Sequence, residues 1–111
     1  MLRSLQNPDE PDVLEKIIGK YLQQSPTLLR DICNAVNSGD NFNLSESAHS
    51  LKSASANLGA LELAQICEEL ENMGRHARAE AAKELIGKLE DSFEAALNAL
   101  KIEIEKPADT K

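Results

Sequence analysis

Apolar residues recur at intervals of three and four through most of this chain, and the recurrence breaks at Ser38-Gly39, at Gly59 and at Gly74. No other feature limits the possible folds so strongly. A period near 3.6 puts one oily stripe on each of several helices, and such stripes must bury one another. The first two stripes are Val13, Leu14, Ile17, Ile18, Tyr21 and Leu22, then Leu28, Leu29, Ile32, Cys33 and Val36. Leu44, Ala48, Leu51, Ser55 and Leu58 follow, then Leu63, Ile66, Cys67 and Leu70. The last is Ala82, Leu85, Ile86, Leu89, Phe93, Ala96, Leu97, Leu100 and Ile104. No window alternates with period two, so no strands are expected. The apolar mass is Leu, Ile and Ala, with Tyr21, Phe42 and Phe93 the only aromatics, which also favours helices.

Local signals set the expected boundaries. Ser25-Pro26 reads as an N-cap followed by proline in the first turn, so the first two stripes are expected to form separate helices. Gly39 and Gly59 suit the left-handed residue that ends a helix, and Gly74 reads the same way. Asp40 can cap a third helix over about 41–58. A fourth is expected from Ala60 to Met73 and a fifth from Arg78 to Glu105, before Pro107 and a polar tail. Short connections make neighbours antiparallel. The expected fold is all-α, an antiparallel four-helix bundle with an additional short N-terminal helix. Residues 1–10 read as a flexible tether, 11–105 as the bundle and 106–111 as a flexible tail.

The chain has 111 residues, enough for one domain with one core. Its formal net charge of -7 argues against nucleic acid as a partner, because phosphate binding needs a concentrated cationic face. No apolar run approaches the roughly 20 residues needed to span a bilayer, and residues 1–12 do not read as a signal peptide. Cys33 and Cys67 follow no metal-ligand spacing and fall on core stripes, as buried free cysteines do. Asn43-Leu44-Ser45 matches a glycosylation sequon that has no meaning without a secretory signal. A reduced, cytoplasmic setting is expected.

His49 stands apart from these patterns. Turning about 100° per residue from Leu44 places Ala48, Leu51, Ser55 and Leu58 on the core side and His49 about 140° around. Ser45, Lys52, Ser53 and Ala56 share the arc of His49, so small residues surround the ring. Lys52 lies one turn along and could neutralise a negative group bound to the imidazole. Histidines on helices are commonly surface or packing residues, but the small neighbours here leave room for another protein's active site to reach the ring. Glu71, on the flank of the fourth stripe, is the candidate carboxylate to accept the ring N–H, which would fix the tautomer and raise nucleophilicity. Spacing leaves a second role equally open, in which Glu71 pairs with Arg75 four residues on. His76, past Gly74, reads as a loop residue. A metal site of His49, His76 and Cys67 would require Cys67 to leave the core.

Three blocks carry a family resemblance. They are Ala48-His49-Ser50-Leu51-Lys52-Ser53, then Asn57-Leu58-Gly59-Ala60, then Cys67-Glu68-Glu69-Leu70-Glu71-Asn72-Met73-Gly74-Arg75. In residues and in the distance between blocks they resemble histidine-containing phosphotransfer (HPt) domains, the helical relay modules of multistep two-component signalling. The resemblance implies that His49 is the phospho-acceptor and that Lys52 assists the phosphoryl group. It places Glu71 where the family carries Gln or Glu bonded to the histidine, and Arg75 at a basic position near the site. Ser53 departs from the family's usual glycine, which bears on how closely a partner approaches.

The implied mechanism accepts a phosphoryl group on His49 from a receiver-domain phospho-aspartate and passes it to a second receiver. The expected partners are receiver domains and a hybrid sensor kinase, with docking over Ser45, Ser53 and Ala56. No cofactor is expected on this chain, the Mg²⁺ coming with the receiver. No glycine-rich phosphate loop is present, so the chain reads as a phosphoryl carrier without autokinase chemistry. The stripes account for one closed bundle and imply a monomer. Two other readings are a helical docking module without phosphotransfer and the phospho-accepting domain of a chemotaxis-type kinase, which would be labelled by a kinase and ATP.

Overall fold

The computed structural model describes residues 10–105, with side-chain surroundings for 15–102. Four α-helices follow one another: α1 (Glu10–Ser38), α2 (Asn41–Asn57), α3 (Leu61–Arg75) and α4 (Lys83–Glu105), with a 3₁₀ turn at Ala79–Ala82 before α4. Each helix packs on the next, and α4 closes back onto α1. This is the expected antiparallel four-helix bundle, with no strand among the described residues. The expected tether and tail lie outside the described residues, except that Glu10 already belongs to α1.

Among the described residues the first stripe does not form a separate short helix. It continues without a break into the next, and Pro26 sits inside α1. Proline lacks the N–H that would bond the Leu22 carbonyl, and a proline inside a helix costs about 3 kcal/mol. The stripe on either side nevertheless stays in phase. Ile18, Tyr21, Ser25, Ile32, Ala35 and Val36 are all buried, and each large apolar side chain so buried contributes about 1.5–3 kcal/mol. Packing therefore outweighs the proline, and Ser25 is a core residue, not a cap. Its hydroxyl is buried without a partner.

Three connections are built alike. Gly39, Gly59 and Ala77 all take left-handed backbone, with φ of 71°, 82° and 58°. Each is followed by an N–H that reaches back five residues: Asp40 to Ala35 at 2.8 Å, Ala60 to Ser55 at 2.9 Å and Arg78 to Met73 at 2.8 Å. This is the Schellman closure, which satisfies the last carbonyls of a helix. The residue that closes each turn also begins the next element, so the chain reverses within two or three residues. Asp40 shows it well, since its carboxylate accepts from the Asn43 backbone N–H at 3.1 Å and caps α2.

Gly74 departs from the sequence reading. It lies inside α3, and the left-handed residue is Ala77. A Cβ on Gly74 would stand 2.7 Å from the Ser45 backbone nitrogen and 2.8 Å from the Asn41 carbonyl oxygen. The glycine is thus there to let α3 press against the first turns of α2. Asn41 secures the same corner, its side-chain oxygen accepting from the Ala79 backbone N–H at 2.8 Å.

The core is lined by Ile32, Val36, Leu44, Leu51, Leu63, Leu70 and Leu89, each at most 1 % exposed. Tyr21 donates or accepts a 2.8 Å bond with Ser55 and ties α1 to the buried side of α2. Cys67 is fully buried, but Cys33 is only half-buried, at the margin of the stripe expected to cover it.

Candidate functional site

Two helix faces meet at the site. On α2, Leu44, Ala48, Leu51 and Ser55 are buried, which turns His49 outward with 57 % of its side chain exposed. On α3, Leu63, Ile66, Cys67 and Leu70 face the core. Glu71 follows Leu70 by one residue and is rotated onto the flank that faces α2. Its side chain is only 3 % exposed. The close approach permitted by Gly74, one turn on, is what brings this flank within hydrogen-bonding distance of α2.

The Glu71 carboxylate is the centre of the arrangement. Oε2 lies 3.0 Å from His49 Nδ1 and 2.6 Å from Arg75 Nη2. Oε1 lies 2.8 Å from Lys52 Nζ, an ion pair without hydrogen-bond alignment. A carboxylate only accepts, so the proton is on Nδ1 and His49 donates it. The lone pair is then on Nε2, on the open side of the ring. Burial by itself would raise the Glu71 carboxyl pKa. Lys52, His49 and Arg75 together outweigh burial and hold it below the ordinary carboxylate range. The carboxylate is therefore charged at neutral pH. The two roles left open by spacing are both filled, since Glu71 bonds His49 and Arg75 through the same oxygen.

Lys52 is 29 % exposed and Arg75 62 % exposed, so two cationic heads flank the ring from the side of α3. Of the expected docking residues, Ser53 and Ala56 are exposed, whereas Ser45 is half-buried. The Ser45 hydroxyl donates to the Phe42 carbonyl at 2.9 Å, and its backbone lies against Gly74. Ser45 serves the α2–α3 contact as well as the surface. Ser53, where the family usually has glycine, lines a groove of about 460 Å³ with Lys52, Ala56, Leu61, Ala64 and Glu68. A larger groove of about 580 Å³, between the α2–α3 loop and α4, lies away from His49 and has only Glu62 and Asp91 as charged groups.

Cys67 takes no part in this chemistry. It is fully buried, and burial pushes its thiol up to about 12 despite the nearby Lys52 ammonium. His76 caps α3, its ring N–H donating to the Asn72 carbonyl at 2.7 Å. His49, His76 and Cys67 do not converge, and the described residues contain no group of three or more His, Cys, Asp or Glu placed to hold a metal ion.

The site is thus an outward imidazole on a four-helix bundle, oriented by a buried carboxylate that two cations also meet. Residues 16–100 match the Hpt domain family. The chain belongs to that family. It is 32 % identical over 73 residues to multistep phosphorelay regulator 1 of Schizosaccharomyces pombe, which covers 66 % of this chain and 25 % of that protein. The chain thus spans about a quarter of that relative. It is also similar to the crystal structure of histidine-containing phosphotransfer protein B from Pseudomonas aeruginosa PAO1. There the TM-score is 0.76 and the identity 30 %, over 95 % of this chain and 88 % of the other. No described helix is long and apolar enough to cross a membrane.

Proposed function

We propose that His49 is the phosphoryl acceptor and donor, that Glu71 positions it, and that Lys52 and Arg75 balance the charge of the transferred group. The observation that carries this reading is the 3.0 Å bond from Nδ1 to the buried Glu71 carboxylate, which leaves Nε2 as the exposed nucleophile. In the forward step the Nε2 lone pair attacks the phosphorus of a receiver phospho-aspartate. An N–P bond forms, the P–O bond to the aspartate breaks, and its electron pair returns to the receiver as carboxylate. The ring now carries substituents on both nitrogens and a positive charge, which the Glu71 carboxylate stabilises. Lys52, one turn from His49, turns from Glu71 toward the phosphoryl oxygens. The reverse step delivers the group to a second receiver.

Mg²⁺ and most of the remaining charge stabilisation enter from the receiver's side, and this chain contributes a positioned nucleophile and two cations. It carries the group as a cytoplasmic monomer, on its own or as part of a hybrid sensor kinase, and does not take phosphate from ATP. The test is direct. Incubation with a phosphorylated receiver labels the wild-type chain, and His49→Gln abolishes the label. Labelling that survives in the His49→Gln variant removes His49 from the mechanism. Labelling only by a kinase and ATP assigns the chain to the chemotaxis-type domains.

A further inference from the structure

Phe42 is 71 % exposed, one of four large apolar side chains standing in solvent among the described residues. It has no part in the core or in the chemistry above. Its place on the helix matters, because Phe42, His49 and Ala56 are spaced by seven. Seven residues at about 100° each return to within about 20° of the same direction. The three form a line along the exposed face of α2. His49 is in the middle, and Phe42 is about 10.5 Å away along the axis. Near the other end of the line Leu61, 67 % exposed, lines the groove that begins at Lys52 and Ala56. The residues beside the ring, Ser45 and Ser53, are small.

We propose that Phe42 is an apolar anchor for the receiver domain, and that the groove at Leu61 takes the opposite side of the same partner. This rests on the phosphotransfer reading of His49. The size of the contact forces the conclusion. A specific protein interface buries roughly 800 Å² on each partner, a disc about 30 Å across. A receiver that presents its aspartate to Nε2 centres that disc on His49. Phe42, at about 10.5 Å, falls inside it, and so does the near end of the Leu61 groove. Aromatic side chains are enriched in the dry centre of interfaces, and small neighbours let the reacting groups approach. The partner surface is therefore apolar at about 10 Å from its phospho-aspartate, and receivers polar there are discriminated against.

The test uses the whole chain and its Phe42→Ala and Leu61→Ala variants. Each is charged with phosphoramidate, a small donor that needs no docking, and with a panel of receiver domains from the same genome charged by acetyl phosphate. Phe42→Ala is expected to keep its phosphoramidate labelling rate. Its KM for receivers should rise about 5- to 30-fold with kcat within about twofold, with Leu61→Ala moving the same way. Unchanged KM for every receiver that serves the wild type overturns the anchor and leaves the role of His49 standing. If phosphoramidate labels the wild type but no receiver does, the phosphotransfer reading itself fails. A wild-type dimer that Phe42→Ala dissociates, with KM unchanged, assigns the residue to a second copy and also overturns the proposal.

Discussion

Glu71→Gln isolates the charge at the centre of the site. The substitution keeps the shape and one accepting oxygen, so the bond from His49 can survive. With that oxygen kept toward His49 and Arg75, the NH₂ group replaces Oε1 and faces Lys52, donor against donor. Arg75 is mostly exposed, and its pair with Glu71 is worth about 0.2–1 kcal/mol. Lys52 is 29 % exposed and meets Glu71 at 2.8 Å, so its ion pair is less screened and lies near the upper end of that range, about 1 kcal/mol. The variant should therefore lose about 1–2 kcal/mol at pH 7. The pH dependence gives the sharper check. The folded Glu71 carboxyl is held below its ordinary value, so the folded chain binds fewer protons there than the unfolded chain. The stabilisation is fully present above the unfolded value of about 4.3. It fades as pH falls through the lower folded value, because a protonated Glu resembles Gln. Urea unfolding of both proteins by circular dichroism, at pH 7 and in steps down to about pH 3, measures the gap. Titrations of groups that do not touch Glu71 are common to the pair and drop out of the gap, which reports Glu71 and the groups in contact with it. Equal stability at pH 7, or a gap that does not narrow in acid, refutes the assignment of these contacts as charge pairing.

Gly74→Ala should destabilise by about 1–3 kcal/mol, because its Cβ would meet backbone atoms of α2 at under 3 Å. Gly87→Ala, in a helix with nothing within 4 Å of the new Cβ, should stabilise by about 0.5–1 kcal/mol. Thermal melts of the two should move in opposite directions. Ala77→Gly should raise stability by about 0.5–1 kcal/mol by relieving the left-handed backbone, and a lowered melting temperature would show that φ is unstrained there. Ellman's reagent should leave Cys67 untouched in the native protein and titrate it only after unfolding, given its buried thiol with a pKa of about 12.

The apolar stripes could be assigned to helices from spacing because a helix face is a local property. Leu44, Ala48, Leu51 and Ser55 proved buried and His49 exposed, as rotation by 100° per residue requires. The glycines at 39 and 59 were readable for the same reason, since a left-handed residue is a demand of its own backbone. The two errors have one source. Ser25-Pro26 carries a genuine local signal for a helix start, and Gly74 one for a helix stop. Both signals are worth at most a few kcal/mol, and both were overruled by packing. The stripe of α1 stays buried across Pro26, and α3 needs a missing side chain at Gly74 to touch α2.

The sequence by itself determined the helical class, the outward direction of His49 and the presence of a carboxylate and two cations at family spacing. Only the tertiary structure decided that Glu71 serves His49, Lys52 and Arg75 at once. A residue's spacing along its own helix is set by local geometry. The distance between side chains on different helices is set by how closely two backbones can pack, here by a glycine one turn away from the carboxylate.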